Sequence, residues 1–153
     1  MNPIAALLPA SNIIVDLDVA SKTQFFTVVG GVFERSAGLS HAHVAASLAT
    51  REKLGSTGLG QGIAIPHGRI RGLPEAVGAF VRLRAPIPFD APDGKPVDQL
   101  FVLLVPEQAT DQHLQLLSEL AQMFSERTFR DRLSSARDAA ALVDAFRDWR
   151  AGT

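Results

Sequence analysis

The residues with the clearest chemical potential lie in the segment GSTGLGQGIAIPHGR (55–69), which leads into a lone histidine. Gly58, Gly60 and Gly62 can adopt positive φ, so their N–H groups can converge on an anion; a turn-rich connection has the same composition. The neutral imidazole of His67 is a good nucleophile near pH 7, although an isolated histidine is also compatible with a structural or surface role. The segment therefore predicts either a plain connection or a site where backbone amides and an imidazole meet a phosphoryl group.

Neither of the two common nucleotide-binding motifs fits this glycine stretch. The dinucleotide fingerprint needs a strand before its glycines and a helix after them, whereas here a predicted helix comes first and an apolar step follows. The P-loop needs a lysine directly after its last glycine, and position 63 is Ile63. Both nucleotide hypotheses are therefore excluded.

Two further side chains stand where an apolar residue would be expected. Arg51 continues the helical stripe of Val44 and Leu48; it either extends to solvent and complements the helix dipole, or reaches a phosphoryl group beside the glycine stretch. His113 falls in the first turn of a later helix that Thr110 is predicted to cap, at the end that favours nearby negative charge. A half-buried histidine with a satisfied hydrogen bond is the alternative for His113.

Other kinds of catalytic site find no support in the residue types. The chain has no cysteine, which excludes disulfides, thiol catalysis and thiolate metal sites. His41 and His43 are two apart on a presumed helix, so they make a poor metal pair and are assigned to the surface. No pair of carboxylates has the pattern of a glycosidase or of a two-metal site, and the G-x-S-x-G nucleophile motif of α/β-hydrolases is absent from the sequence. We expect no metal and no bound cofactor.

The elements that must position these residues follow from periodicity and capping. Residues 12–19 predict a short strand, and Ser21 is a predicted cap for a helix to about Ala37. Ser40 is a predicted cap for a second helix from His41 to Leu54, which Gly55 ends. Two glycines inside the first of these helices indicate close packing or a kink. The segments that follow are an alternating strand at 76–83, a turn at 91–94, a continuous apolar strand at 100–105 and helices from 110 to the end. We predict one α/β domain over 1–153, a three-layer α/β/α sandwich on a mixed sheet.

Composition limits the function classes further. The 153 residues carry 15 basic and 16 acidic side chains, a balance that argues against nucleic-acid and anionic-membrane binding. No segment has the roughly 20 apolar residues of a membrane span, and the N-terminal stretch lacks the basic region of a signal peptide. These features predict a cytoplasmic protein.

Three segments together resemble a known family. TREKLGSTGLGQGIAIPHGR (50–69), AVGAFVRLRAPIPFDAPDGKPVDQLFVLLVP (76–106) and DQHLQLLSELAQMF (111–124) are similar to the IIA proteins of the bacterial phosphoenolpyruvate-dependent sugar phosphotransferase system, fructose–mannitol class. The signature part covers about 40–150. Within the class, the length and the segments at 50–57 and 86–98 look most like its nitrogen-regulatory members.

This resemblance implies a mixed sheet flanked by helices and an active histidine, which by motif position is His67. The family's arginine falls on Arg51 and its second active-site histidine on His113. The implied donor is a small histidine phosphocarrier protein of the HPr or NPr type, and the chain would be a stoichiometric phosphotransferase component rather than a turnover catalyst acting alone. Gly58, Gly60 and Gly62 are then expected to contact the phosphoryl group through their amides.

The resemblance leaves the fate of the phosphoryl group open. In the regulatory members the phosphorylation state itself is the output, read by target proteins such as transporters or sensor kinases. The alternatives are transfer to a separate sugar-specific IIB protein, or a binding module that keeps the fold without cycling phosphate.

Overall fold

The computed structural model describes residues 2–108 and 111–150. The helices of this part of the chain are α1 (Pro3–Ala6), α2 (Lys22–Ala37), α3 (His41–Lys53), α4 (Asp111–Ser125), α5 (Arg127–Ser135) and α6 (Ala139–Asp148), with a short 3-10 turn at Ala10–Asn12. The strands are β1 (Ile13–Leu17), β2 (Gly58–Gly60), β3 (Ile63–Ala64), β4 (His67–Ile70), β5 (Val77–Ile87) and β6 (Val97–Pro106). None of the helices in these ranges is both long and apolar enough to cross a membrane.

The strands form one six-stranded sheet in the order β1-β5-β6-β3-β2, and β4 pairs with β6 beyond the end of β3. β1 runs parallel to β5, β3 and β4 run parallel to β6, and the β5–β6 and β2–β3 pairs are antiparallel. The predicted mixed sheet is confirmed. Because every residue of β6 from Gln99 to Val105 is buried, the prediction of a central strand covered on both faces is confirmed as well.

Helices cover both faces of the sheet, as the three-layer prediction requires. Alternate residues of β6 point to opposite sides, so Leu100 and Val102 join one core and Phe101 and Leu103 join the other. The first core packs beneath α2 and α3, and the second packs beneath α1 and the three C-terminal helices. The site residues predicted on α3 and α4 therefore approach the sheet from opposite layers.

Serine caps fix where α2 and α3 begin. The Ser21 side chain accepts a hydrogen bond from the Gln24 N–H, and the Ser40 side chain accepts one from the His43 N–H, which confirms both predicted caps. The α3 helix ends at Lys53, one residue before the predicted end. The predicted capping residue of α4, Thr110, lies outside the described residues.

The two helical glycines mark a close helix–helix contact. A Cβ on Gly30 would overlap the His41 ring, and the His41 Nε2 atom lies 2.6 Å from the Thr27 carbonyl oxygen. His41 is therefore partly buried between α2 and α3, which corrects its assignment to the open surface; His43 is exposed as predicted.

Candidate functional site

His67 begins β4, and the backbone around it fixes the orientation of its ring. The Pro66 carbonyl accepts a hydrogen bond from the Leu103 N–H at 2.9 Å, which secures the start of β4 against β6. The His67 Nδ1 atom lies 2.9 Å from the Ile65 carbonyl oxygen. A carbonyl can only accept, so Nδ1 carries the proton, and in the neutral ring Nε2 keeps its lone pair. The half-buried ring thus presents Nε2 as its nucleophilic atom.

Arg51 meets that same nitrogen from the last turn of α3. Its Nε donates to His67 Nε2 at 3.2 Å, and its Nη1 donates to the Gly55 carbonyl at 2.9 Å. Val44 and Leu48 are fully buried on the same helical stripe, so the helix directs Arg51 inward at the edge of the core. Of the two interpretations of Arg51, the geometry favours the one that places a guanidinium beside the reactive imidazole.

The surroundings hold His67 in its neutral form. Burial is the largest cause that lowers the pKa of His67 below its ordinary value, and the charges of Arg51 and His113 lower it further. The Ile65 carbonyl and the Glu52 carboxylate act in the opposite direction without reversing the shift. A neutral ring is also what the Arg51 contact requires, because a protonated Nε2 could not accept a hydrogen bond.

His113 reaches the site from the other layer. It lies in the first turn of α4, is 8% exposed, and its buried Nδ1 has no hydrogen-bond partner among the described residues. An unpartnered buried nitrogen is costly unless a ligand or a bound group uses it. The alternative of a satisfied structural histidine is therefore not supported for His113.

His67, Arg51 and His113 line one open cavity of about 530 Å³. Two exposed leucines, Leu54 at 82% and Leu114 at 61%, also line it, one from each helical layer. Apolar side chains around a polar centre are typical of a surface that another protein covers. The cavity is thus open enough for another protein to cover it, rather than sealed around a small molecule.

The structure does not bring the three glycines of the 58–62 stretch to this cavity, which corrects the expectation that their amides contact a phosphoryl group on His67. A Cβ on Gly58 would lie 2.9 Å from the Ala91 Cβ, and one on Gly62 would lie 3.0 Å from Asp98 Oδ1. Gly60 faces Asp93 in the same way. The physical reason is strand pairing, because β2 and β3 lie beside the start of β6 whereas His67 lies farther along it.

Sequence reasoning missed Gly68 and Ser47, which line the cavity together. The Ser47 hydroxyl donates to the Arg69 carbonyl at 3.1 Å and occupies the space where a Gly68 Cβ would stand. The sequence His67-Gly68 could have indicated this contact, because a glycine directly after a candidate nucleophile is typical of a place where another group approaches the backbone closely.

The buried carboxylate of Glu52, the residue after Arg51, was also not predicted from the sequence. Glu52 is 8% exposed, and a buried carboxylate at the end of an amphipathic helix could not be inferred from periodicity. One of its hydrogen-bond partners, Lys22, is distant in sequence, and the other, Thr57, is only five residues away.

This arrangement suits nucleophilic attack by His67 Nε2 on a group that carries negative charge. A guanidinium lies at the attacking atom, and His113, whose buried Nδ1 has no partner among the described residues, lines the same cavity. Transfer of a phosphoryl group needs mainly positioning and charge compensation, which these groups supply.

Comparison with known proteins gives consistent matches. The family described as phosphoenolpyruvate-dependent sugar phosphotransferase system, EIIA 2, matches residues 6–149. A nitrogen regulatory protein from Pseudomonas aeruginosa is 57% identical over 96 residues, which is 63% of this chain and 62% of that protein. One from Bradyrhizobium diazoefficiens is 38% identical over 140 residues, 92% of each chain. The crystal structure of nitrogen regulatory protein IIA-Ntr from Neisseria meningitidis superposes with a TM-score of 0.89 at 51% identity, covering 94% of this chain and 99% of that one.

Proposed function

The chain belongs to the EIIA type-2 family of the phosphoenolpyruvate-dependent sugar phosphotransferase system, and from that premise we propose that it is a histidine phosphocarrier that accepts a phosphoryl group on Nε2 of His67. The observation that carries this proposal is the contact of Arg51 Nε with Nε2 at 3.2 Å, on a ring whose other nitrogen is bound to a carbonyl. That contact leaves Nε2 unprotonated and places a cation where the phosphoryl oxygens will arrive.

The transfer step needs no metal and no net proton exchange. The nitrogen–phosphorus bond of a donor phosphohistidine breaks, and its electron pair stays on the donor ring. The lone pair of His67 Nε2 forms the new bond to phosphorus, while the Nδ1 proton remains hydrogen-bonded to the Ile65 carbonyl. Each ring keeps the proton on its other nitrogen throughout.

Arg51 and His113 are proposed as the charge-compensating groups. When the phosphoryl group arrives, the guanidinium exchanges its bond to Nε2 for bonds to phosphoryl oxygens. The imidazole of His113, which has an unpartnered nitrogen in the wall of the same cavity, donates a further hydrogen bond. A small phosphocarrier of the HPr or NPr type is the proposed donor, and Leu54 and Leu114 are proposed to contact it.

The proposed output is regulatory. The chain has no cysteine that could take the phosphoryl group onward, and its relatives carry the name nitrogen regulatory protein. Adding up to about two negative charges between two exposed leucines changes which proteins can bind there, because like charges in an interface cost several kcal/mol. The phosphorylation state would thus select among target proteins.

Labelling from phosphoenolpyruvate through enzyme I and an HPr-type donor tests the proposal. We expect one acid-labile phosphoryl group per chain, none in His67→Ala, slower labelling in His113→Ala, and unchanged labelling in His43→Ala, which alters an exposed histidine on the same helix as Arg51. Heteronuclear NMR of the labelled ring should place phosphorus on Nε2. Labelling of His67→Ala, or phosphorus on Nδ1, would contradict the mechanism.

Adding a sugar-specific IIB protein to the labelled chain separates the regulatory role from transport. Slow or absent transfer is expected. Transfer as fast as the labelling itself would replace the regulatory role with a place in a sugar relay and leave the His67 chemistry intact.

A further inference from the structure

Glu52 is a buried acid directly beside the proposed site. It is 8% exposed, next to Arg51 in the last turn of α3, and it is not one of the residues that line the cavity. A buried carboxylate destabilises a fold unless its oxygens are hydrogen-bonded or paired with a cation. Core packing alone therefore does not explain why a carboxylate is buried at this position.

Three donors satisfy this carboxylate. The Thr57 N–H donates to Oε2 at 3.0 Å, and the Thr57 hydroxyl donates to Oε1 at 2.6 Å. The ammonium of Lys22, from the start of α2, reaches Oε2 at 3.0 Å. Because a carboxylate can only accept, all three bonds are compatible at once, which would not hold for an amide.

The first connection to the site runs through the segment between α3 and β2. Glu52 fixes one end of this segment at Thr57, and the helix fixes the other end. Between them, the Gly55 carbonyl accepts from Arg51 Nη1 at 2.9 Å. The guanidinium is thus bound to a carbonyl of this short segment, whose far end the Glu52 carboxylate fixes at Thr57.

The second connection reaches the other nitrogen of the ring. The Thr57 carbonyl accepts from the Ile65 N–H at 3.0 Å, and the Ile65 carbonyl in turn lies 2.9 Å from His67 Nδ1. Glu52 therefore supports both neighbours of His67, the cation at Nε2 and the carbonyl at Nδ1, through a single residue.

We propose that Glu52 is a positioning residue that sets the tautomer of His67 and the placement of Arg51 by holding Thr57, with Lys22 as its counter-ion. This inference rests on the proposed function for its role in phosphoryl transfer, but the tautomer itself is a property of the unphosphorylated protein. The charge of Glu52 also opposes the lowering of the His67 pKa, so its removal should lower that pKa further.

Glu52→Gln is the primary variant. If the NH₂ takes the position of Oε2, it meets two donors, the Lys22 ammonium and the Thr57 N–H. If it takes the position of Oε1, the bond to the Thr57 hydroxyl must reverse, and in either orientation Lys22 loses its counter-charge, so the hold on Thr57 weakens. We expect the ring nitrogens of His67, observed by heteronuclear NMR, to shift from a single Nδ1–H tautomer toward a mixture. The initial rate of phosphoryl acceptance should fall about tenfold, in the range that small misplacements of reacting groups produce.

Two further variants keep the test decisive. Glu34→Gln removes a carboxylate from the exposed face of α2 and should change neither the tautomer nor the rate. Thr57→Val keeps the Glu52 charge and the backbone bond while deleting the hydroxyl, and should give the same tautomer shift at smaller amplitude. It carries the test if Glu52→Gln does not fold.

An unchanged His67 spectrum in the folded Glu52 variant, or in Thr57→Val where the former does not fold, together with acceptance within twofold of wild type, would overturn the positioning role. If wild type accepts no phosphoryl group but the tautomer still shifts in the variant, the proposed function fails and the positioning role stands.

Discussion

The 58–62 glycine stretch and the His67 site are neighbours in sequence but serve different ends of the same strand. Ile63 pairs with Gln99 near the start of β6, whereas His67 pairs with Leu103. These partners are four residues apart, which corresponds to about 13 Å along a strand. Two segments that a sequence motif joins are thus separated by the pairing that follows it.

The two regions also differ in the anion that the first holds and that the second is proposed to hold. In the glycine stretch the Gln61 N–H donates to the Asp93 carboxylate at 2.9 Å, so the stretch holds an acid of the protein itself. Hydrogen bonds from the backbone amides of Gln61 and Lys95 are the main causes that lower the pKa of Asp93. At His67 the proposed anion is a phosphoryl group from another protein, and the side chains proposed to hold it, Arg51 and His113, come from two helices. Glycine-rich backbone therefore shapes the protein here, and helical side chains carry the proposed chemistry.

Arg51→Ala is the largest expected effect short of removing His67. Loss of the guanidinium should lower the initial rate of phosphoryl acceptance about 100-fold, the range seen when one preorganised donor to a developing charge is removed. Arg51→Lys keeps the positive charge but not the planar guanidinium, so its initial rate should lie between those of wild type and Arg51→Ala. Single-turnover transfer from a phosphorylated donor measures both rates. If the initial rate of Arg51→Ala is within threefold of wild type, Arg51 does not carry the chemistry that is proposed to distinguish the His67 site from the glycine stretch.

Much of this comparison could be predicted from the sequence, but the position of the glycine stretch and the burial of Glu52 could not. Capping serines, the alternation in β5 and the apolar run of β6 depend on local chemistry, so these elements and the sandwich could be predicted, whereas α1 and the short strands β2, β3 and β4 were not. The helical stripe through Leu48 placed Arg51 on the same face for the same reason, but it left open whether the guanidinium extends to solvent or to the site.

The position of the glycine stretch could not be predicted in this way. It depends on which part of β6 the strands β2 and β3 pair with, and that register is set by long-range contacts. The burial of Glu52 was hidden for the same reason, because its counter-ion lies 30 residues earlier in the chain.

Gly68→Ala gives the next largest effect and tests whether a glycine inside the site behaves differently from those outside it. Its Cβ would overlap the Ser47 side chain, so we expect a loss of unfolding free energy of about 1–3 kcal/mol. Acceptance per folded molecule should fall as well, because Gly68 and Ser47 both line the cavity of His67.

The double variant Gly68→Ala, Ser47→Ala removes the overlapping hydroxyl and keeps a good helix former in α3, so it should recover most of the loss in both urea unfolding and transfer rate. A double variant no better than Gly68→Ala alone would mean that the overlap is not the cause.

Gly62→Ala should affect stability and leave the chemistry alone. Gly62 has φ +79°, where an alanine is strained by about 1–2 kcal/mol, and its Cβ would stand 3.0 Å from Asp98 Oδ1. Gly94 is the matched control, since it has φ +72° with nothing within 4 Å of its Cβ. Urea unfolding of the two variants separates backbone strain from the Asp98 contact. Phosphoryl acceptance per folded molecule should stay within twofold of wild type. A larger loss would mean that the glycine stretch contributes to the site after all.

The smallest expected effect is the change with pH near neutrality, and it concerns only the His67 region. The pKa of His67 is lowered by burial, so it lies below the ordinary value of about 6.5, and at pH 7 more than roughly three quarters of the rings are neutral. Acceptance should change by less than about a third between pH 8 and pH 7, because the neutral fraction changes no more than that. As the pH falls through the lowered pKa, Nε2 takes a proton, loses its lone pair and repels Arg51, so acceptance falls.

The same protonation acts on stability, with a sign that follows from proton counting. Between the lowered and the ordinary pKa the unfolded chain binds more protons than the folded one, so this contribution is fully present above about pH 6.5 and is lost as the pH falls through the folded pKa. His67→Gln should remove that part of the pH dependence of urea unfolding. NMR titration of the ring in the isolated chain gives the midpoint directly, and a midpoint above the ordinary value would mean that Arg51 does not face a neutral imidazole.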